Sequence, residues 1–134
     1  MKYPFSSLVV ASFSLTLLAA CSSAPSNEST YTPPATPAVV KNGIFVDQGG
    51  RTLYTFDKDV APNKSTCNVK CPFNWPPLFA TPDDVAKGDW TIFERDDGMT
   101  QWAYKGKPLY QFFEDKKPGD KKGEGKTDWQ VAKP

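Results

Sequence analysis

The chain has 134 residues, with 16 basic and 15 acidic side chains and no histidine. A net charge of +1 supplies no field to steer it towards nucleic acid or an acidic polymer, so neither is expected as a partner. The lack of histidine removes Ser-His-Asp and Cys-His catalysis, His-ligated zinc or copper, and His-ligated haem. No cofactor, no metal and no catalytic residue set is expected.

The first segment has the three parts of an export signal. Lys2 gives a short positive start, Leu8 to Ala20 an apolar run, and Leu18-Ala19-Ala20-Cys21 its close. The run of about 13 residues is too short for a bilayer core, which needs roughly 20 in helical form. Small residues followed directly by Cys resemble the lipobox of bacterial lipoproteins. That resemblance implies that residues 1–20 are a cleaved signal peptide and that Cys21 carries the lipid. Two or more acyl chains make such an anchor stable. Ser22 stands where inner-membrane lipoproteins commonly have Asp, so the outer membrane, facing the periplasm, is the expected location.

Residues 21–40 read as a tether. From Ser22 to Val40, 11 of 19 residues are Ser, Thr or Pro, too little apolar surface to order a segment. Extended as polyproline it reaches about 60 Å, at roughly 3.1 Å per residue. The folded domain is expected over 41–134, with aromatic rings supplying much of a Leu-poor core.

Strand signals dominate that domain. Ile44 to Val46 and Thr52 to Phe56 flank Asp47-Gln48-Gly49-Gly50, a hairpin signature. Thr91 to Glu94 and Thr100 to Tyr104 flank Asp96-Asp97-Gly98, a second one. Lys105-Gly106-Lys107 turns the chain into a strand running through Phe112, and Trp129 to Ala132 closes the domain. One short helix is expected from Thr81, a possible cap, through Pro82, Asp83 and Asp84 to a stop at Gly88.

The domain contains a self-match at an offset of 56. Gly50-Arg51-Thr52-Leu53-Tyr54-Thr55-Phe56-Asp57-Lys58-Asp59 aligns with Gly106-Lys107-Pro108-Leu109-Tyr110-Gln111-Phe112-Phe113-Glu114-Asp115, and each copy then runs through a polar loop to Trp75 or Trp129. Two copies of one supersecondary unit, packed on each other, are implied, with cores near 43–79 and 90–132. In a strand, Tyr and Phe two apart share a face. The Asp falls at the strand end, where its carboxylate can accept backbone N–H bonds of the following turn. A structural role for Tyr54, Phe56, Asp59, Tyr110, Phe112 and Asp115 accounts for all six. The fold class is therefore all-β: a small antiparallel, sandwich-like domain of two repeat units, with one short helix and one disulfide-closed loop.

These residues resemble the bacterial lipoproteins named for a Tyr-x-(Phe/Trp/Tyr)-x-x-Asp motif, also described as secreted repeats of unknown function. Ser65-Thr66-Cys67-x-x-x-Cys71-x-x-x-Trp75-Pro76-Pro77-Leu78 and Asp115-x-x-Pro118-Gly119-Asp120 extend the resemblance over most of residues 43–132. It implies an envelope location and two repeats, and carries no activity. The second long loop departs from the family's Asp- and Asn-rich pattern, with five Lys between Lys116 and Lys126, which suits no calcium loop.

If lipid consumes Cys21, Cys67 and Cys71 remain as a pair, expected to be oxidised outside the cytoplasm. A structural staple worth on the order of 2 kcal/mol is the expected role. Thiol exchange helped by Lys64 and Lys70, or copper(I) binding by reduced thiols, is the alternative. Carboxylate pairs suited to glycoside hydrolysis exist at Asp57 with Asp59, Asp83 with Asp84 and Asp96 with Asp97, but turn and helix-start chemistry already explains the last two. Trp75, Trp90, Trp102 and Trp129 either contact a glycan or protein partner or fill the core, and their burial decides between these. The expected function is a lipid-anchored, non-catalytic binding or structural module, with an envelope protein or glycan as partner.

Overall fold

A computed structural model of the protein describes Thr32 and residues 36–134. The signal segment, Cys21 and most of the tether lie outside the described residues. Ala38–Lys41 (β1) and Ile44–Asp47 (β2) form an antiparallel hairpin in which Ala38 faces Asp47 and Lys41 faces Ile44. Their link, Asn42-Gly43, has φ of 51° and 76°, the two-residue turn whose twist matches that of the strands. The tether was expected to run through residue 40, yet the fold starts at Ala38, whose side chain is buried. The Ser/Thr/Pro composition stops at Pro37. Ala38-Val39-Val40 then offers free backbone N–H groups and β-branched side chains suited to pairing.

Tyr54–Phe56 (β3) pairs antiparallel with Trp129–Val131 (β7). Trp90–Glu94 (β4), Thr100–Tyr104 (β5) and Lys107–Pro108 (β6) make a third antiparallel sheet with β5 in the middle. The predicted turns close as expected: Asp47 N–H donates to the Arg51 carbonyl (2.8 Å), and Arg95 N–H to the Met99 carbonyl (2.8 Å). The third strand of each repeat is shorter than expected, since beyond β6 the chain continues by single bridges at Tyr110.

The short helix is present but elsewhere. It is Cys71–Asn74 (α1), with Pro72 in its first turn. The 81–88 segment forms a turn instead. Thr81 N–H donates to the Asp84 carboxylate (2.7 Å) and Asp84 N–H to the Thr81 carbonyl (3.1 Å), so the capping groups satisfy each other without a helix to cap. Val85 is exposed, so this segment has no apolar face whose burial could offset the cost of nucleation.

Aromatic rings build the core, as the composition requires. Trp75 and Trp129 lie face to face, with centroids 3.7 Å apart and planes within 7°. Phe56 stacks on the outer side of Trp129 and Phe112 leans on Trp75, each at 4.4 Å. A second cluster, of Ala38, Phe45, Leu53, Leu109 and Ala132, lies buried beside this four-ring column.

Candidate functional site

The centre of the domain is the place where the two repeats meet. Tyr54 N–H donates to the Tyr110 carbonyl (2.8 Å) and Tyr110 N–H to the Tyr54 carbonyl (2.9 Å), so equivalent residues face each other. Around this pair, three chain segments close a hydrogen-bond circuit on each side. Leu53 N–H donates to Phe45, Phe45 N–H to Ala132, and Ala132 N–H back to Leu53. In the other half, Leu109 N–H donates to Trp102, Trp102 N–H to Leu78, and Leu78 N–H back to Leu109. Ala132 ends the second repeat but completes the circuit of the first, and Leu78 does the reverse. Each repeat gives its closing segment to the other.

The recurrent residues carry out this exchange. The Tyr54 hydroxyl donates to Asp115 (2.7 Å) and the Tyr110 hydroxyl to Asp59 (2.6 Å), so each Tyr bonds the Asp of the opposite copy. The second carboxylate oxygen stays local: Asp59 accepts Thr66 N–H (2.7 Å), and Asp115 accepts Lys122 N–H (2.8 Å). Phe56 stacks on Trp129 of the other copy, and Phe112 packs on Trp75 of the other copy. The glycines are explained in the same way. Gly50 and Gly106 have φ of 85° and 79°, and a Cβ on them would lie 3.1 Å from Pro118 and Pro62 of the opposite repeat. Burial raises both tyrosine pKa values above the ordinary 10.0, and the hydrogen-bonded Asp reinforces the shift.

One half of this centre carries an addition. The Tyr110 hydroxyl also meets Ser65 Oγ (2.8 Å), and Ser65 meets the buried guanidinium of Arg95 (3.0 Å). Arg95 further donates to Gln101 (2.6 Å), the Cys67 carbonyl (3.0 Å) and Asp97 (3.1 Å). Met99 N–H and then Arg95 hold the Asp97 carboxyl below its ordinary 3.8. Arg95 thus pins the start of the loop that the Cys67–Cys71 disulfide closes, with Cα atoms 5.1 Å apart. Cys67 is fully buried and Cys71 half-buried.

Beyond the disulfide the loop points outward. Val69 has φ of 58° and is 87% exposed, and Phe73 on α1 is 78% exposed. A β-branched residue in the left-handed region costs of order 1–3 kcal/mol, and such conformations cluster where a surface has a task. The cost is held by the ring closed at one end and the Arg95 contacts at the other.

A family model described as a secreted repeat of unknown function matches residues 38–79 and again 91–133. The chain belongs to this family. No curated protein and no solved structure matches it. The two matched stretches are the two halves that exchange closing segments, so the secreted repeat is the sequence unit while the folded unit is the pair.

The remaining residues singled out from sequence divide clearly. Trp75, Trp102 and Trp129 are buried and Trp90 is half-buried against Phe45 and Tyr104. Their role as exposed aromatic contacts is corrected: in a secreted repeat with so few Leu, the indoles are needed as core. Trp75 and Trp129 also line an open groove of about 370 Å³, together with Phe113, Glu114 and Lys126. Each of the carboxylate pairs has at least one member bonded elsewhere. Asp57 accepts Gln130 (3.2 Å), Asp59 is bound to Tyr110, Asp84 to Thr81, and Asp96 to Lys64 and Asn68. Among the described residues no group of three or more Cys, Asp or Glu side chains is placed to hold a metal ion. Cys21 lies outside the described residues.

Sequence reasoning missed Arg95, Gly123 and the Val69/Phe73 tip. Gly123 had a signal, because Lys122-Gly123 aligns with Thr66-Cys67 at the same offset of 56. Its N–H donates to the Tyr54 hydroxyl (3.2 Å), and a Cβ there would lie 2.8 Å from both Tyr54 and Trp75. Arg95 had none, since its contacts span residues 65 to 101 and no second copy of it exists.

Proposed function

We propose that this secreted repeat protein is a lipid-anchored, non-catalytic module of the cell envelope. Cys21 holds it to the outer membrane on the periplasmic side, and the Val69/Phe73 tip docks it to an envelope protein. One observation carries the reading. The recurrent Tyr, Phe and Asp side chains are spent on joining the repeats, while the disulfide loop is braced from inside and presents two apolar side chains to solvent. A rigid apolar anchor of this kind loses little entropy on binding. Among the described residues no helix is long and apolar enough to cross a membrane.

Two measurements test the two halves of this proposal. Cys21→Ala should move the protein from the membrane to the soluble fraction, and retention of the variant in the membrane would count against the anchor. A photo-crosslinking residue at position 73 should give a discrete adduct in intact cells that disappears with Val69→Asp. The same adduct from position 87, on the exposed linker, would dismiss the tip as the docking surface.

The competing reading, thiol exchange or copper(I) binding by Cys67 and Cys71, draws on Cys71 being only half-buried. The pair should have a reduction potential below about −300 mV, the range of structural disulfides. Its reduction should cost on the order of 2 kcal/mol in a denaturant melt. A potential of roughly −120 to −200 mV would put thiol exchange first.

A further inference from the structure

The two repeats are joined by residues 80–89, and this link contributes little to the core. Thr81, Pro82, Asp83 and Val85 to Asp89 are exposed. Its ties to the sheet lie at its two ends: Ala80 exchanges bonds with Thr100 (both 3.0 Å), and at the other end Lys105 N–H donates to the Asp89 carbonyl (2.8 Å) beside the Lys87–Trp90 bridge. By contrast, the contact between repeats is the core itself: the Tyr54–Tyr110 pair, β3 on β7, both closing segments, both crossed Tyr–Asp bonds and the Trp75–Trp129 stack. Neither repeat can complete its own three-segment circuit, because Leu78 and Ala132 sit in the opposite halves.

From this we infer that the repeat–repeat face is a docking surface that also works between chains. Its partner is the complementary repeat of a second copy of this protein. When the link opens, the first repeat of one copy closes on the second repeat of another, and the same circuits form twice in a swapped dimer. Every bond between the repeats is reproduced. What separates the two forms is the hinge and the effective concentration that the link provides. In the isolated chain the link favours the closed monomer, and copies crowded on one surface move towards exchange.

The link length makes this testable. Phe79 lies beside Gln101 on one side of β5, and Trp90 lies beside Tyr104 on the other side, three residues further along. With about 4.8 Å between strands and 3.4 Å per residue, the link must span roughly 14 Å. Deleting residues 81–88 leaves Ala80 and Asp89, whose three Cα steps reach at most about 11 Å. The shortened chain cannot close on itself.

The experiment uses the full mature chain carrying Cys21→Ala, with mass measured by light scattering after size exclusion. The shortened chain should elute as a folded species of twice the monomer mass, with the near-ultraviolet dichroism of the parent. A folded monomer would overturn the inference. A second variant covers a shortened chain that fails to fold: a protease site inserted after Val85 in the full-length link, cut under native conditions. The two halves should co-elute and melt together at a temperature that rises with concentration. Separation of the halves would overturn the inference whatever the shortened chain does.

Discussion

Arg95→Leu should lower the stability of the domain by about 3 kcal/mol, the largest loss expected from any single polar residue here. Arg95 is 3% exposed, and its guanidinium donates to Ser65, Gln101, the Cys67 carbonyl and Asp97. Leucine fills part of the volume but leaves the Gln101 amide oxygen and the Cys67 carbonyl without their donor. Losing the donor to such buried acceptors costs roughly 1–3 kcal/mol each, and the two do not add in full. Asp97 limits the damage, because its carboxylate is 48% exposed and water can take over from Arg95. Domains of this size hold about 5–15 kcal/mol in total, so the variant should melt well below the parent. Arg95→Lys should fall between the two, since a single ammonium cannot fork to acceptors on opposite sides. Urea denaturation measures the difference, and a loss under about 1 kcal/mol would show that solvent substitutes for the guanidinium.

The crossed Tyr–Asp bonds should give the second largest effect, and one that depends on pH. Asp115 is buried and accepts both the Tyr54 hydroxyl and Lys122 N–H. Asp115→Ala takes the acceptor from both donors, for a loss of about 2 kcal/mol. Tyr54→Phe should cost roughly 1 kcal/mol, mostly through Gly123 N–H, which then points at a ring. In the double variant the two losses should not add, and a coupling of about 1 kcal/mol or more is expected. Additive losses would mean that the pair does not interact.

The pH dependence follows from the same burial. Tyr54 and Tyr110 titrate higher in the folded chain than their ordinary 10.0, so above that value the folded state holds protons that the unfolded state has released. Stability conferred by the two hydroxyls is therefore complete below about pH 10 and falls as pH rises towards their folded values. Phenolate absorbance from these tyrosines should appear together with loss of the near-ultraviolet dichroism. Its appearance in the folded protein would contradict the burial argument.

Much of this protein is legible in its residue order. The hairpins at 44–56 and 91–104 were visible because Gly and Asp mark their turns and β-branched and aromatic residues mark their strands. The repeat was visible as six matched positions, and the Cys67–Cys71 pairing was expected once the lipobox resemblance set Cys21 apart. Local signals failed where local chemistry had two solutions. Thr81-Pro82-Asp83-Asp84 reads as a helix start, but without an apolar face the same side chains close a turn.

Tertiary structure alone decided what the repeat means. A sequence match shows that two units are alike, and it cannot show which unit each Tyr, Gly or Phe touches. The reach of Tyr54 to Asp115, of Gly50 to Pro118 and of Phe56 to Trp129 depends on the two halves being placed together. The same holds for Arg95, whose bonds to Ser65, Cys67 and Gln101 lie 6 to 30 residues away in the chain. Side-chain type and spacing specify the strands and turns, because those rest on neighbours in the chain. Partnership between the repeats was left to packing, because a hydrogen bond or a ring stack carries no mark in the sequence of the residue that completes it.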